Sequence, residues 1–311
     1  PGKAFTIMSF TPGDPAELML GVQATQAEIE AYREILGLNA PFIVRLGRFL
    51  YDLFFRLDLG VSYIDKVPVM TTIIDRLPQT LMIGIGSLIL TVAIGLPLGV
   101  LSAVHQNSVG DRVAMVVSLI FVSMPNFWLA IMMMLVFALN LRWVPASGLS
   151  SWKGWILPCL ALGLAPIASI MRMTRSSMLE EIRKDYVRTA RAKGVSNRTV
   201  IMRHALKNAL IPVITVIGFQ LGMIMGGSVV IESIFAIPGL GSLMQTAINS
   251  RDYPVIMGCV LILCLCVCVM NLIVDLVYAL IDPRIRAQYA AESRKRSRKH
   301  PKEGGGDIAQ A

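Results

Sequence analysis

Charge is what this sequence has least of. Only 16 % of its 311 residues are Asp, Glu, Lys or Arg, against about a quarter in a soluble domain, while 55 % are apolar and the mean hydropathy is +0.64. That deficit excludes a disordered chain, a collagen-like chain and an ordinary soluble enzyme. Cysteine is also scarce: Cys159, Cys259, Cys264, Cys266 and Cys268 all fall within or at the edge of apolar runs. Thiols two positions apart on a helix point about 200° apart, so the last three cannot share one metal ion. They read as small apolar packing residues, and no disulfide framework is expected. The histidines, His105, His204 and His300, are far apart, and neither a Gly-x-x-x-x-Gly-Lys-Ser/Thr phosphate loop nor a His-Glu-x-x-His motif occurs. The chain is therefore expected to be no enzyme, with no metal site and no ATP-binding loop of its own.

What is present is long runs without charge. A bilayer core of about 30 Å takes roughly 20 helical residues, and uncharged runs cover residues 77–104, 113–141, 154–171, 208–231 and 253–274, the last continuing as apolar sequence to Ile281. These predict five complete spans. Residues 233–250, SIFAIPGLGSLMQTAINS, also lack charge, but Pro238, Gly239, Gly241 and the amides and hydroxyls predict a loop, inserted only where protein shields it. Ala4 to Phe10 is apolar and too short to span; with Pro1 as the first residue, it is expected to be the tail of a sixth, truncated span, and no cleavable signal peptide is visible. The expected layout is a span remnant at 1–12, an external amphipathic segment at 13–76, a transmembrane domain at 77–286 and a basic tail at 287–311.

The remaining charge fixes sidedness. Residues 172–207 hold ten Lys and Arg against three acids, and the tail from 282 holds eight more of the 29 basic residues. Two predicted spans separate these segments, so both face the cytoplasm by the positive-inside rule. Residues 11–76 then lie outside, with nine acids against six basic residues. In that outer segment Thr25 and Glu28 form a capping box opening a helix through Ile29, Tyr32, Ile35 and Leu36, stopped at Gly37. A second amphipathic piece from Pro41 to Leu57 places Phe42, Leu46, Phe49, Leu50, Leu53 and Phe54 on one side. It is expected to lie as a cap on the membrane or on neighbouring loops, or to receive a partner that delivers substrate. The basic tail is expected to touch anionic inner-leaflet lipid.

Gly95 and Gly99, and Gly218, Gly222 and Gly226, recur at four-residue spacing, which predicts close helix packing. Pro125, Pro158 and Pro166 predict kinks. Polar side chains within the runs, Asn126, Gln220, Ser228, Asn271 and Asp275, are the candidates for a translocation pathway. Asp275 is the one ionisable residue read as lying inside a span, and its alternative role is a helix-end carboxylate pairing with Arg284.

The richest segment is the basic loop. Met173 to Lys193 predicts one helix, with Gly194 as a left-handed stop and Ser196 capping a second helix that runs into the fourth span. Tyr186, Ala190 and Gly194 form a stripe flanked by Arg188, Arg191 and Lys193, a face able to enter a groove on a partner protein or to rest on anionic headgroups. The stretch Asp185 to Gly194, DYVRTARAKG, followed by His204-Ala205-Leu206 and Asn208-Ala209, resembles the coupling segment of binding-protein-dependent ABC importer permeases, specifically the dipeptide/oligopeptide/nickel branch. The general pattern is E-A-A-x-x-x-G followed by I-x-L-P. Ala190, Gly194 and Leu206 match it, whereas Arg188, Thr189, His204 and Lys207 depart from it in the manner of the peptide branch. Thr11 to Pro15, Arg172 to Arg175, Pro238 to Gly241, Arg251 to Pro254 and Asp282 to Arg286 are similar to that branch in the same order.

The resemblance implies an all-α polytopic membrane protein with the type I ABC importer transmembrane fold, six spans in the intact chain, and the subunit role with the large outer segment. It implies a bacterial or archaeal inner membrane location and import of di- or oligopeptides, with nickel, glutathione or opines as alternatives. It implies a second permease subunit, two cytoplasmic ATPase subunits that bind ATP and Mg, an external substrate-binding protein and surrounding lipid, and no nucleic acid. Asp185, Tyr186, Arg188, Thr189, Ala190, Arg191, Ala192, Lys193 and Gly194 would contact the ATPase. A secondary transporter would need an intramembrane ionisable network and usually repeats, and a channel would need filter loops; neither is evident.

Overall fold

A computed structural model describes Ala16, Leu20, residues 24–35, Gly37, 39–56, 58–149 and 151–281, with side chains to Leu276 apart from Phe54. The predicted span remnant, the Thr11 to Pro15 block, the Asp282 to Arg286 block with Arg284, and the basic tail lie outside the described residues. In chain order the helices are α1 (Gln26–Ile35), α2 (Phe42–Tyr51, continued by a π turn Asp52–Arg56), α3 (Val69–Val104), α4 (Val109–Ser123), α5 (Asn126–Met133, continued by a π stretch Met134–Asn140), α6 (Ile156–Ile182), α7 (Asp185–Ala192), α8 (Leu206–Ile234), α9 (Leu240–Ser250) and α10 (Tyr253–Ile281). A turn Asn197–Thr199 and a π stretch Val200–Ala205 lead into α8.

Among the described residues four helices are long and apolar enough to cross a membrane, and the α4–α5 pair makes a fifth crossing if its two halves are one span. That pair departs from the continuous helix expected over 113–141: it bends by 105° at Met124–Pro125. Pro125 lacks an N–H and disfavours helical geometry in the residue before it, and Met124 is extended with ψ 133. By contrast α6 runs through Pro158 and Pro166 without interruption. The first membrane helix also starts earlier than the charge-free run, at Val69, so Asp75 and Arg76 belong to it.

The frame is the α3–α6 pair. In lipid there is no hydrophobic force between helices, so association depends on close packing and buried polar contacts. Ser87, Thr91, Gly95 and Gly99, four residues apart on α3, are all buried. A Cβ on Gly95 would lie 2.9 Å from the Ile167 carbonyl oxygen, and one on Gly99 would lie 2.6 Å from that of Met171. Gly163 of α6 meets the Ser87 carbonyl and the Thr91 hydroxyl, each at 3.4 Å from its missing Cβ. Enclosed on several sides, α6 has 67 % of its apolar stretch buried, against 22–33 % for the other spans. The second glycine series is less uniform: Gly218 approaches Val274 of α10, while Gly226 has open space beside it.

Three apolar clusters stack along this frame. One, at the N-terminal ends of α3 and α10, holds Leu59, Val69, Ile73, Leu240 and Val255. A middle one joins Ile83, Leu162, Ile224, Met225 and Phe235. A third, at the other end of α3, joins Ala103, Met178, Ile201 and Ala205. We call the first end the cap end, because α1 and α2 sit there, and the other the loop end. The α1 N-terminus is the expected capping box: the Glu28 carboxylate accepts from the Thr25 N–H at 2.8 Å and from its hydroxyl at 2.8 Å, which holds this exposed carboxyl below its usual pKa. Gly37, with φ +66, closes the helix.

Gly99→Leu should push α3 off α6 and cost about 3 kcal/mol or more, as overpacking against backbone cannot relax. Gly226→Leu, facing open space, should leave stability nearly unchanged; thermal unfolding of the two purified variants in detergent checks the contrast.

Candidate functional site

The loop end carries the predicted coupling segment, and its local geometry follows from a few residues. The helix expected from Met173 to Lys193 is two helices. α6 ends at Ile182, the Arg183 and Lys184 amides bond back to the Glu180 and Glu181 carbonyls, and Lys184 turns extended with ψ 150. Two acids and two bases in succession stabilise that corner: Lys184 Nζ lies 2.5 Å from Glu181 Oε1, which pushes the ammonium pKa up. α7 then runs eight residues and ends in a Schellman motif, with Gly194 N–H donating to the Arg191 carbonyl (2.9 Å) and Val195 N–H to that of Ala190 (3.3 Å). That motif needs a left-handed residue, and Gly194 has φ +78. Ser196 caps the next turn by accepting from the Thr199 N–H.

α7 is seated by two residues. Val187 is fully buried, and the Tyr186 hydroxyl turns inward, donating to Glu181 Oε2 at 2.5 Å and accepting from Asn208 Nδ2 at 3.0 Å. Partial burial and the Glu181 carboxylate raise the phenol pKa, so Tyr186 stays neutral and keeps its donor. Tyr186 thus anchors α7 through its hydroxyl while 37 % of its surface stays exposed on the stripe it shares with Ala190 and Gly194. Arg188, Thr189, Arg191, Ala192, Lys193 and Gly194 are also exposed, with Ala190 half-buried among them. Asp185 is also exposed and pairs with Arg188 at 3.7 Å.

Beside this segment is a buried ion pair that charge counting did not single out. Asp111, in the first turn of α4, accepts from Arg175 Nε at 2.7 Å and from a second guanidinium nitrogen at 2.8 Å. The same carboxylate takes the Ser102 hydroxyl and the Asn107 N–H, so it binds the α3–α4 turn to α6 two turns before the α6–α7 corner. The signal in sequence was its partner, Arg175 of the Arg172 to Arg175 block.

A second carboxylate organises the cap end. Glu232, which merely ended a charge-free run in the sequence, is fully buried in α8. Its Oε1 accepts from the Thr80 hydroxyl at 2.7 Å, and its Oε2 accepts from the backbone N–H groups of Gly241 (2.7 Å) and Ser242 (3.1 Å). Those amides are the N-terminus of α9, where a helix dipole favours negative charge. α9 replaces the loop expected over 233–250: Leu240 and Ala247 bury against α3 and α10 while Ser242, Thr246 and Ser250 bond to their own helix. A Cβ on Gly239 or Gly241 would collide with Glu232, which explains the glycines of the Pro238 to Gly241 block. A third carboxylate, Asp252, takes the Ser62 hydroxyl (2.5 Å) and the Tyr63 N–H (3.1 Å), tying the 58–66 hairpin of the cap end to the start of α10.

The pathway candidates are dispersed. Asn126 and Gln220 are half-buried on α5 and α8, and Asn271 and Asp275 are exposed one turn apart on α10. Ser228 is fully buried, and its hydroxyl donates to the Met225 carbonyl of its own helix. All five thiols are free: Cys159 and Cys259 pack inside, whereas Cys264 and Cys268 are exposed on α10.

Residues 95–287 match the family described as binding-protein-dependent transport system inner membrane component. The chain belongs to that family. Residues 3–84 match the companion N-terminal membrane component, which covers the cap and the first part of α3. Among curated relatives, the dipeptide transport system permease protein DppB of Alkalihalophilus pseudofirmus is 43 % identical over 310 residues, spanning 91 % of this chain and 93 % of its own. The glutathione transport system permease protein GsiC of Salmonella paratyphi A is 41 % identical, spanning 91 % and 92 %. A chain of the MetNI methionine ABC transporter, solved in inward-facing conformations, shares the fold with a TM-score of 0.59 at 21 % identity, covering 68 % of this chain and 97 % of that one. The fold of this permease is therefore the type I ABC importer transmembrane domain, and it is a multi-pass inner membrane protein.

Replacing Glu232 by Ala leaves Thr80 and two buried N–H groups without an acceptor and should cost about 3 kcal/mol or more. Glu232→Gln should be milder: its amide oxygen can serve Gly241 and Ser242 while its NH2 donates to Thr80, whose hydroxyl turns round. Thermal unfolding of the two purified variants separates these outcomes.

Proposed function

We propose that this chain is the permease subunit of an ATP-driven importer of di- or oligopeptides, forming half of the translocation pathway. The observation that carries the reading is the pairing of a peptide-branch coupling pattern with α7, a short basic helix held by Val187, Tyr186 and Gly194 with its Arg188 to Lys193 face open. The relatives named for dipeptide and glutathione transport support a short peptide as cargo. No cluster of His, Cys and carboxylates suited to nickel occurs among the described residues.

In this reading the loop end and the C-terminus face the cytoplasm and the cap faces outward. Asp185, Arg188, Thr189, Ala190, Arg191, Ala192, Lys193 and Gly194 meet a cleft on one of two ATPase subunits, which supply the ATP and Mg sites, while Tyr186 keeps α7 in place. The second permease subunit covers the seam of α8 formed by Phe219, Met223, Gly226 and Val230, which repeats at 3.5-residue spacing and is exposed along its length; Gln220 adjoins that seam, where substrate would pass. An external binding protein delivers substrate at the cap end. Closure of the ATPase dimer shifts α7 as a rigid body, and the Asp111–Arg175 pair passes that shift to the α3–α4 turn and α6, biasing a two-state equilibrium of the spans.

Gly194→Val forces a β-branched residue into positive φ, which only the backbone feels, because no atom lies within 4 Å of the missing Cβ. The expected result is an assembled complex in which labelled dipeptide uptake into proteoliposomes falls at least tenfold while ATP hydrolysis persists. Unchanged uptake would refute the coupling role, and dipeptide uptake by the lone chain without ATP would refute the importer reading.

A further inference from the structure

The cap encloses a cavity of about 460 Å³ between the end of α1, α2, the 58–66 hairpin and the first turn of α10. Arg45, Arg48 and Lys66 line it together with Asp52 and Asp58. Both acids are already engaged: Asp52 pairs with Arg56 at 3.3 Å, and Asp58 accepts from the Gly60 N–H at 2.8 Å. Lys66 donates to the Tyr32 hydroxyl at 3.0 Å. Among the described residues Arg48 has no ion pair or hydrogen-bonded partner through its guanidinium, so positive charge is unspent on the cavity side of α2.

α2 presents three faces. Phe42, Leu46, Leu50 and Leu53 are half-buried on one side, Arg45, Arg48 and Asp52 face the cavity, and Ile43, Tyr51 and Phe55 form a third face. On that third face Ile43 is 79 %, Tyr51 52 % and Phe55 78 % exposed, with Tyr51 and Phe55 stacked at 5.1 Å. A ridge of large apolar groups beside guanidinium groups is the pattern of a helix lying in a membrane interface. Its position agrees, because the hairpin and cavity adjoin Val69 and Tyr253, where two spans begin.

We propose that α2 and its cavity bind a phospholipid of the leaflet at the cap end, with the phosphate diester held by Arg45 and Arg48 and the acyl chains laid along Ile43, Tyr51 and Phe55. A guanidinium fork matches phosphate oxygens in shape and charge, and the cavity volume lies within the range of small-ligand sites. A short peptide would offer a carboxylate to the same arginines but would leave the apolar ridge uncovered, so the lipid accounts for both features. The inference requires only that these helices cross a membrane and is independent of what is transported.

The test is native mass spectrometry of the transporter complex purified from membranes and washed in detergent, then titrated with phosphatidylethanolamine, phosphatidylglycerol or dialanine. One phospholipid should survive the wash. The double variant R45A/R48A should lower its occupancy at least tenfold, whereas R45K/R48K should keep most of it. F55S provides an independent readout: it should weaken retention of the lipid without removing the arginines. Preference for one headgroup would assign it, and equal binding of both would assign the shared phosphate; either supports the site. Equal lipid retention in wild type, R45A/R48A and F55S, or an adduct with dialanine and none with lipid, would overturn the proposal.

Discussion

The close approach of α3 and α6 is the constraint on which the rest of the molecule depends. In a bilayer, apolar side chains gain nothing by leaving lipid for each other, so two helices stay together only if their backbones come near enough for dense packing. Ser87, Thr91, Gly95 and Gly99 allow that approach, and Gly163 answers from the other side. With α6 enclosed, α4, α5 and α8 have a fixed surface to pack on, and both ends of the frame become defined positions from which loops can be held.

Those loops are held by carboxylates. Glu232 joins α3, α8 and the start of α9; Asp252 joins the 58–66 hairpin to the start of α10; and Asp111 joins the α3–α4 turn to α6. A buried carboxylate with two to four donors is costly to disturb because each donor would be left unpaired. The three sites therefore tie the ends of the spans by charge and hydrogen bonds, whereas the middle relies on close packing. In the proposed mechanism a displacement of α7 reaches this frame through the α6–α7 corner, two turns from Arg175. In the proposed coupling role, α7 is a short exposed helix with a glycine stop, mounted on a frame whose two ends are tied by buried carboxylates.

Much of this was legible in the sequence, for identifiable reasons. Charge-free runs locate spans because lipid tolerates little else. The caps at Thr25, Gly37, Gly194 and Ser196 are local hydrogen-bond patterns written within four or five residues. What was not legible depends on distant partners. Glu232 looked like the boundary of a run because Thr80, its partner, is 152 positions away. α9 looked like a loop because its glycines answer to distant neighbours, the Glu232 side chain at Gly239 and the Val229 backbone with Glu232 at Gly241. The 105° bend at Pro125 was visible as a kink signal but not in size, and the hydrogen bond that holds the Tyr186 hydroxyl comes from Asn208, across the segment.

The claim that α7 contacts an ATPase, and not anionic headgroups, is tested most directly by photo-crosslinking. A photoreactive amino acid at Arg191, on the open face of α7, should give a single protein adduct with the ATPase subunit in native membranes, with a yield that changes when ATP is added. Adducts with lipid alone, unaffected by ATP, would contradict the account.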